Sequence, residues 1–490
     1  MKRLLLISTL LLGIVISASA QYGNRTYRGA NMLHGDRFQS RFYNYGLIGN
    51  YGESSFEWPI STGNEYAGDF SPLLGVEFIH PSGDTLRSVI TPDGPRGNSD
   101  GPPGGGAFWG FESLPGFAAS PPVNADRSTA MSDDPDTWPP SWPGKPDNWN
   151  GQWIGPQQPG VPCAAQEAYF QMDDNSDLEW RERNGQILYP FPNDTSRGGI
   201  GLRVEVRHML FDQPEYEDAL VVMYIIHNDG VVNIERARFG FVVGTLAGGR
   251  QDSQDDMCAV LPEWDMVVSY DSDDIGSPGW VPVSAEVHVG KMGVMFLETP
   301  QNLGMTSFEE FYPPGAVRMR DDAALWTRTT PGRIIEPLAA PADGDFIMAT
   351  GDFPLLPGEA DTVIAAVVFG ATITDLEIRA AALQALCDEG FHLDASIPVR
   401  GIPQDFAISA VYPNPFNSST QIEFTLPTTQ RVSLRLFDIM GREAIVLVDE
   451  TKTAGTHRIT VNGSGLSSGI YFCCLQAGTE MQTQKIILLK

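Results

Sequence analysis

The sequence predicts a mainly β protein: a large antiparallel, sandwich-like body with one packed helix, followed by a small C-terminal β-sandwich. Three observations predict it. Short apolar segments, alternating or unbroken, recur along most of the chain and are separated by turn residues. The 490 residues include 51 Gly and 37 Pro, which punctuate the chain too often for long helices. A single stretch combines helical spacing with both end signals.

The elements follow in order. Residues 1–20, "MKRLLLISTLLLGIVISASA", have the shape of a signal peptide: Lys2 and Arg3, an apolar run from Leu4 to Ile16, and small residues at Ala18–Ala20. That run is short for a membrane span, and no later stretch is long and apolar enough, so the mature form is expected to carry none. Residues 21–160 form a Gly/Pro/Trp-rich irregular β region, with a strand at Leu73–Ile79 and turn clusters such as Thr91–Gly106.

Residues 161–391 read as the β-sandwich body. In "LRVEVRHML" (Leu202–Leu210), Leu202, Val204, Val206, His208 and Leu210 share one face and Arg203, Glu205 and Arg207 the other, which predicts a half-buried strand. "ALVVMYIIHNDG" (Ala219–Gly230) is unbroken and suits a strand buried on both faces. "ARFGFVVGT", "KMGVMFLET" and "DTVIAAVVFGAT" add three more strands. A helix is expected over 374–389. Thr374 and Glu377 form a capping box, Leu376, Ala380, Leu383 and Cys387 repeat at helical spacing, and Gly390 supplies the stop. Residues 392–408, with Pro398 and Pro403, read as a linker.

The last domain spans residues 409–490. "QIEFTL", "RVSLRLFD", "EAIVLV", "GTHRITV", "GIYFCCLQ" and "TQKIILLK" are six short alternating strands, with glycine at the turns. Ile422, Phe424 and Leu426, and Val432, Leu434 and Leu436, are the inward rows. By pattern this is a small Ig-like sandwich, and the Pro-Asn-Pro-Phe-Asn lead-in holds the chain extended.

Those residues also carry a resemblance. "VYPNPFNSSTQIEFTLP", "LRLFDIMGRE", "AGTHRITV", "GLSSGIYFCCLQAG" and "QKIILLK" are similar to the type A C-terminal sorting domain of proteins exported by the type IX secretion system, itself similar to the Ig-like domain of the flagellar hook-capping protein. Cys473 and Cys474 stand where that family commonly has tyrosine and arginine. The resemblance implies passage through the periplasm to the cell surface or medium, with the secretion machinery as partner of residues 409–490. Body segments such as "TGNEYAGDFSPLLGVEFI" and "EAYFQMDDNSD" resemble uncharacterised secreted proteins that carry such tails. That second resemblance implies a secreted β-rich body and no particular chemistry.

Charge narrows the partners. Of 32 basic and 61 acidic residues, the first twenty positions hold two basic, and residues 409–490 hold seven basic and six acidic. The remaining 23 basic and 55 acidic residues lie in 21–408, a net of −32. Such a body repels nucleic acid and anionic membrane and suits divalent cations or neutral polymers.

Candidate sites are few. Trp138, Trp142, Trp149 and Trp153 lie within "WPPSWPGKPDNWNGQW" and are candidate ligand-binding residues, since exposed indoles stack on sugars or anchor a protein. The competing reading makes them the private core of an irregular loop. Asp173, Asn175 and Asp177 in "DDNSD" have the alternate spacing of Ca²⁺-loop ligands, although Leu178 and Asn184 stand where an EF-hand needs glycine and glutamate. Asp252–Asp256 and Asp271–Asp274 are further oxygen-rich turns. In all three, a solvated turn competes with Ca²⁺ binding. The five cysteines lack zinc or disulfide-framework spacing, with a Cys163–Cys258 bridge the one pairing considered. "GNSDG" (Gly97–Gly101) fits G-x-S-x-G, but it sits in a Pro/Gly loop without a following helix. His208 reads as a hydrogen-bonded core histidine, and no catalytic residue is assigned. The expected function is therefore an exported or surface binding or structural protein for a glycan, surface polymer or protein, with Ca²⁺ the one candidate cofactor. A secreted polysaccharide hydrolase is the alternative.

Overall fold

The computed structural model describes residues 22–489, apart from 94–99, 103–104, 106, 146–148, 150, 157–159, 312–316, 392–405, 413, 415, 418, 427–429, 453–454, 464 and 479. The expected signal peptide and most of the expected linker lie outside the described residues. The chain divides into two compact units, at His392 and Leu393.

In the first unit the strands are β1 (Ala30–His34), β2 (Gln39–Tyr43), β3 (Ala67–Ile79), β4 (Thr85–Ile90), β5 (Glu112–Ser113), β6 (Gln166–Asp173), β7 (Glu182–Arg183), β8 (Gln186–Ile187), β9 (Leu202–Leu210), β10 (Ala219–Asn228), β11 (Ile234–Thr245), β12 (Asp256–Leu261), β13 (Met266–Asp271), β14 (Lys291–Glu298), β15 (Ser307–Glu310), β16 (Phe346–Leu355) and β17 (Ala360–Gly370). Two α-helices among the described residues are α1 (Asp322–Arg328) and α2 (Ile373–Asp388). An eight-stranded antiparallel sheet runs β12-β13-β14-β17-β10-β9-β6-β5, and a five-stranded one β15-β16-β11-β3-β4. Both sheets thus take strands from residues 22–160 and from later residues.

Alternation explains how the sheets are covered. Phe70, Leu74 and Val76 of β3 and Phe239, Phe241 and Val243 of β11 share one buried cluster with Val204 and Val206 of β9 and Val363, Ala365 and Val367 of β17. The intervening residues Val221, Val268, Met295, Ala366 and Val368 instead pack with Leu376, Ala380, Leu383 and Cys387 of α2. Likewise Leu73, Val89, Val242 and Ile347 pack with Leu325 and Trp326 of α1. Both sheets are therefore covered on both faces, which is why β10 and β17 read as almost unbroken apolar runs.

Three details correct the sequence reading. The capping box of α2 uses Thr372 and Asp375, not Thr374 and Glu377: Asp375 N–H donates to Thr372 Oγ1 at 3.2 Å, and Thr372 N–H to Asp375 Oδ2 at 2.8 Å. Both pairs have the same spacing, and β17 ends at Gly370, so the earlier pair meets the chain first. A second helix, α1, is too short for a periodic signal. His208 is fully buried, yet neither ring nitrogen has a hydrogen-bond partner. Phe42 and Phe170 flank it edge-on, with ring centres 4.9 and 5.5 Å away, and burial pushes its pKa down to about 3, so the ring is neutral.

Among the described residues the second unit has seven strands rather than six: β18 (Ala407–Tyr412), β19 (Ser419–Leu426), β20 (Gln430–Asp438), β21 (Glu443–Lys452), β22 (Gly455–Asn462), β23 (Gly469–Ala477) and β24 (Glu480–Leu488). They form a three-stranded sheet, β18-β19-β22, and a four-stranded one, β21-β20-β23-β24. Both inward rows are buried together, with Cys473 among them. The asparagine–proline lead-in docks on the last strand. Asn414 Nδ2 donates to Lys485 O at 3.0 Å, Asn414 Oδ1 accepts Ile487 N–H at 2.9 Å, and Phe416 is 1% exposed.

Candidate functional site

The tryptophans of the Pro/Gly segment face inward. Trp142 and Trp153 are buried, and Trp138 and Trp149 pack half-buried against the same core. Trp153 meets Trp138 at 5.8 Å and Trp142 at 5.6 Å between ring centres. Their indole N–H groups donate inward: Trp138 to Met131 O at 2.6 Å, Trp142 to Gln152 O at 2.7 Å, and Trp153 to Glu167 Oε2 at 2.6 Å. The Lys145 ammonium covers the Trp149 ring at 4.9 Å. This geometry suits indoles that stiffen an irregular segment by packing on one another.

The anchor of that segment is Glu167, which is fully buried on β6. Besides Trp153 it accepts the Cys163 and Ala164 N–H groups, at 2.5 and 3.2 Å, and Arg207 Nη1 at 2.5 Å. Arg207 also donates to Ile154 O at 2.7 Å and lies over the Tyr169 ring at 4.8 Å. The polar face expected for β9 thus ends at Arg207, which turns inward to pair with a buried carboxylate.

The acidic turn after β6 is occupied by its own backbone. Asp173 Oδ1 accepts the Gly23 and Asn175 N–H groups, at 3.1 and 3.2 Å, and Arg197 lies 3.5 Å from Oδ2. Asn175 Oδ1 accepts the Gly198 N–H at 3.0 Å. Neighbouring Asp174 takes the Ile200 and Leu202 N–H groups at 2.7 and 3.0 Å, and burial pushes its pKa up to about 7. The alternation in "DDNSD" therefore serves loop closure in Asp173 and Asn175.

Asp177 belongs to a different group. Asp100, Glu179 and Asp322 each offer a carboxylate oxygen, and these oxygens lie within 4.8 Å of one another. Asp177 feels the charges of Asp322 and Asp100, and its own carboxyl is buried. The residues come from the Pro/Gly loop, the turn after β6 and the first turn of α1. Backbone donors hold three of the four carboxylates: Gly101 N–H to Asp100 Oδ1 at 2.6 Å, Glu179 N–H to Asp177 Oδ1 at 3.2 Å, and Val89 N–H to Asp322 Oδ2 at 3.0 Å. Asp322 Oδ1 and Glu179 Oε2 are buried without a hydrogen-bond partner. Burial, then mutual repulsion, raises the pKa of Glu179, Asp322 and Asp177, while Asp100 rises to about 6 through burial despite the Arg320 charge.

The magnitude shows the tension. Two unit charges 4.8 Å apart repel by about 3.5 kcal/mol at an effective dielectric of ~20. Three such pairs approach about 10 kcal/mol, comparable with the whole stability of a domain. The fully ionised set requires a compensating cation or bound protons.

The two other acidic turns also meet. Asp252, Asp255 and Asp271 bring oxygens within 4.8 Å. Asp271 is 6% exposed, and its Oδ2 and that of Asp252 lack partners. Gly248 (φ +78°) borders both; a Cβ there would sit 2.5 and 2.6 Å from those two oxygens, so glycine is required. Asp252 and Asp255 are half-buried, which leaves this group more open than the first.

The five cysteines are free; Cys163 approaches Met209 Sδ at 3.5 Å, and Cys258 donates to Gly344 O at 3.2 Å. Most of "GNSDG" lies outside the described residues. A cleft of about 720 Å³ runs between β3, β8 and the β10–β11 turn, with Ile79, Ile187, Tyr189 and Val231 exposed along it.

The fold and its tail define an exported β protein. Residues 410–489 match the family model of the secretion system C-terminal sorting domain, so the second unit is a type IX sorting domain and the chain is destined for the cell surface or secretion. No curated protein matches the chain. Among solved structures it is similar to a polysaccharide lyase, at 10% identity and a TM-score of 0.25, over 80% of this chain and 47% of that one. A putative aldose 1-epimerase from Escherichia coli K12 follows at 10% identity and TM-score 0.26, over 70% of this chain and 100% of that one. PorZ, a surface component of the type IX secretion system of Porphyromonas gingivalis, follows at 9% identity and TM-score 0.16, over 94% and 75%. The chain thus spans about half the length of the lyase. Likeness at these scores assigns no chemistry to the body. Among the described residues, no helix is long and apolar enough to cross a membrane.

Proposed function

We propose that the body works outside the cell as a binding or structural module for a glycan, surface polymer or protein, delivered there by residues 409–490. The sorting tail carries the extracellular part of this reading. The site chemistry supports the rest. The rival, a polysaccharide hydrolase, needs an acid–base carboxyl pair open to substrate. Glu179 and Asp322, whose pKa values burial raises, instead keep oxygens that are closed off from solvent. The cleft beside Tyr189 offers an aromatic edge with exposed Thr85, Asn233 and Glu235 as polar groups, the mixture a sugar or polar polymer requires.

Two experiments test this. Deleting residues 409–490 should leave the protein in the periplasm; unchanged export would remove the extracellular premise. Purified full-length mature protein should then be retained on immobilised polysaccharides or surface extracts without changing them, less so in Tyr189→Ala. Product release that disappears with a defined carboxylate pair would replace the binding reading with the hydrolase.

A further inference from the structure

We propose that Asp100, Glu179 and Asp322, with Asp177 beside them, form a site for one Ca²⁺ ion that ties three loops of the body together. This does not depend on what the body binds. Four observations converge on it.

The donors are all carboxylate oxygens, with neither imidazole nor thiolate among them. Hard divalent cations select such a set, whereas zinc and copper favour nitrogen and sulfur. The spacing also fits. A Ca²⁺–oxygen distance of about 2.4 Å places opposite ligands about 4.8 Å apart, and the oxygens of the three residues lie within 4.8 Å of one another.

Burial is the third observation, independent of the clustering. Asp322 is 7% exposed, and its Oδ1 has no hydrogen-bond partner, as is true of Glu179 Oε2. Buried polar oxygens are normally satisfied. A cation held among the clustered oxygens would satisfy both. The other Asp322 oxygen is held from behind by Val89 N–H, an arrangement that orients metal ligands.

The fourth is position. The ligands stand at 100, 177–179 and 322, so one ion would link the Pro/Gly loop, the turn after β6 and the start of α1. A cation there would replace like-charge repulsion with three attractive contacts and so stabilise the closed arrangement of these loops.

The test uses full-length mature protein stripped with EDTA, with CaCl₂ as probe, MgCl₂ for comparison, and calorimetry and thermal melting as readouts. Ca²⁺ should bind, raise the melting temperature by several degrees at 100 times Kd, and outcompete Mg²⁺. Glu179→Gln and Asp322→Asn should each weaken Ca²⁺ binding about tenfold or more, with the melting shift lost at the original concentration. Asp252→Asn and Asp271→Asn, in the other acidic group, should leave it unchanged. A further readout avoids altering the ligands: Tb³⁺ in the Ca²⁺ site should luminesce through neighbouring Trp180, and Trp180→Phe should dim it. Absence of both heat and melting shift with wild type overturns the proposal. So does affinity that is indifferent to Glu179→Gln and Asp322→Asn, or lost instead with Asp252→Asn and Asp271→Asn.

Discussion

Replacing Arg207 with methionine isolates the polar anchor beneath the tryptophan segment. Methionine has similar length but no charge, so Glu167 would keep a buried carboxylate without its counter-charge. Removing one partner of such a pair typically costs about 3–5 kcal/mol. Three N–H donors from Trp153, Cys163 and Ala164 would still reach Glu167, which places the expectation at the lower end, about 3 kcal/mol. Both side chains are at most 7% exposed, so solvent screening does not reduce it. With an unfolding entropy of about 2.1 cal/mol/K per residue over roughly 370 body residues, that corresponds to a melting point lowered by about 4 °C. Near-UV circular dichroism should weaken as well, because Trp153 holds the Trp138 and Trp142 rings at fixed angles. Glu167→Gln should also destabilise. The double variant should lose less than the sum of the two by about 1.5 kcal/mol or more, since the pair is coupled. Strict additivity, or a shift below about 1 °C for Arg207→Met, would show that the buried pair does not hold the segment.

Three further outcomes follow from the same structure. Burial alone would raise the Glu205 pKa, but contacts from His227, Tyr169 and Arg203 outweigh it and hold the value at about 2. Against an unfolded value of about 4.3, the stabilisation of about 3 kcal/mol is complete above pH 4.3 and disappears as pH falls through about 2. Denaturation of wild type and Glu205→Gln should therefore converge at acid pH, and a constant gap would refute the linkage. Burial raises the thiol pKa of Cys387 and Cys473 to about 12, so a maleimide should label them at neutral pH only after unfolding; rapid labelling of the native protein would contradict their packing. Thr372→Ala should cost about 1 kcal/mol in thermal melts and Thr374→Ala much less, and the reverse order would move the cap of α2.

Local pattern carried much of the fold. The strand at Leu202–Leu210 has the same ends in sequence and structure because alternation is a property of neighbours. The register of α2 was legible in Leu376, Ala380, Leu383 and Cys387, but its cap was not, since Thr372 and Thr374 carry the same signal. The sorting domain was legible because its motifs lie in one short stretch. The candidate ion site was not. Asp177 was marked through a spacing that turned out to close a loop, and Asp100, Glu179 and Asp322 carry no local signature at all.

The chain by itself determined the β character, the position of the main helix and the export tail, because each rests on periodicity or contiguous motifs within a few residues. Tertiary structure alone decided that Trp138, Trp142 and Trp153 pack on one another, that Arg207 turns inward and that carboxylates from three distant loops meet. Those outcomes depend on which loops pack together, and long-range packing leaves no period in the sequence of the residues it unites.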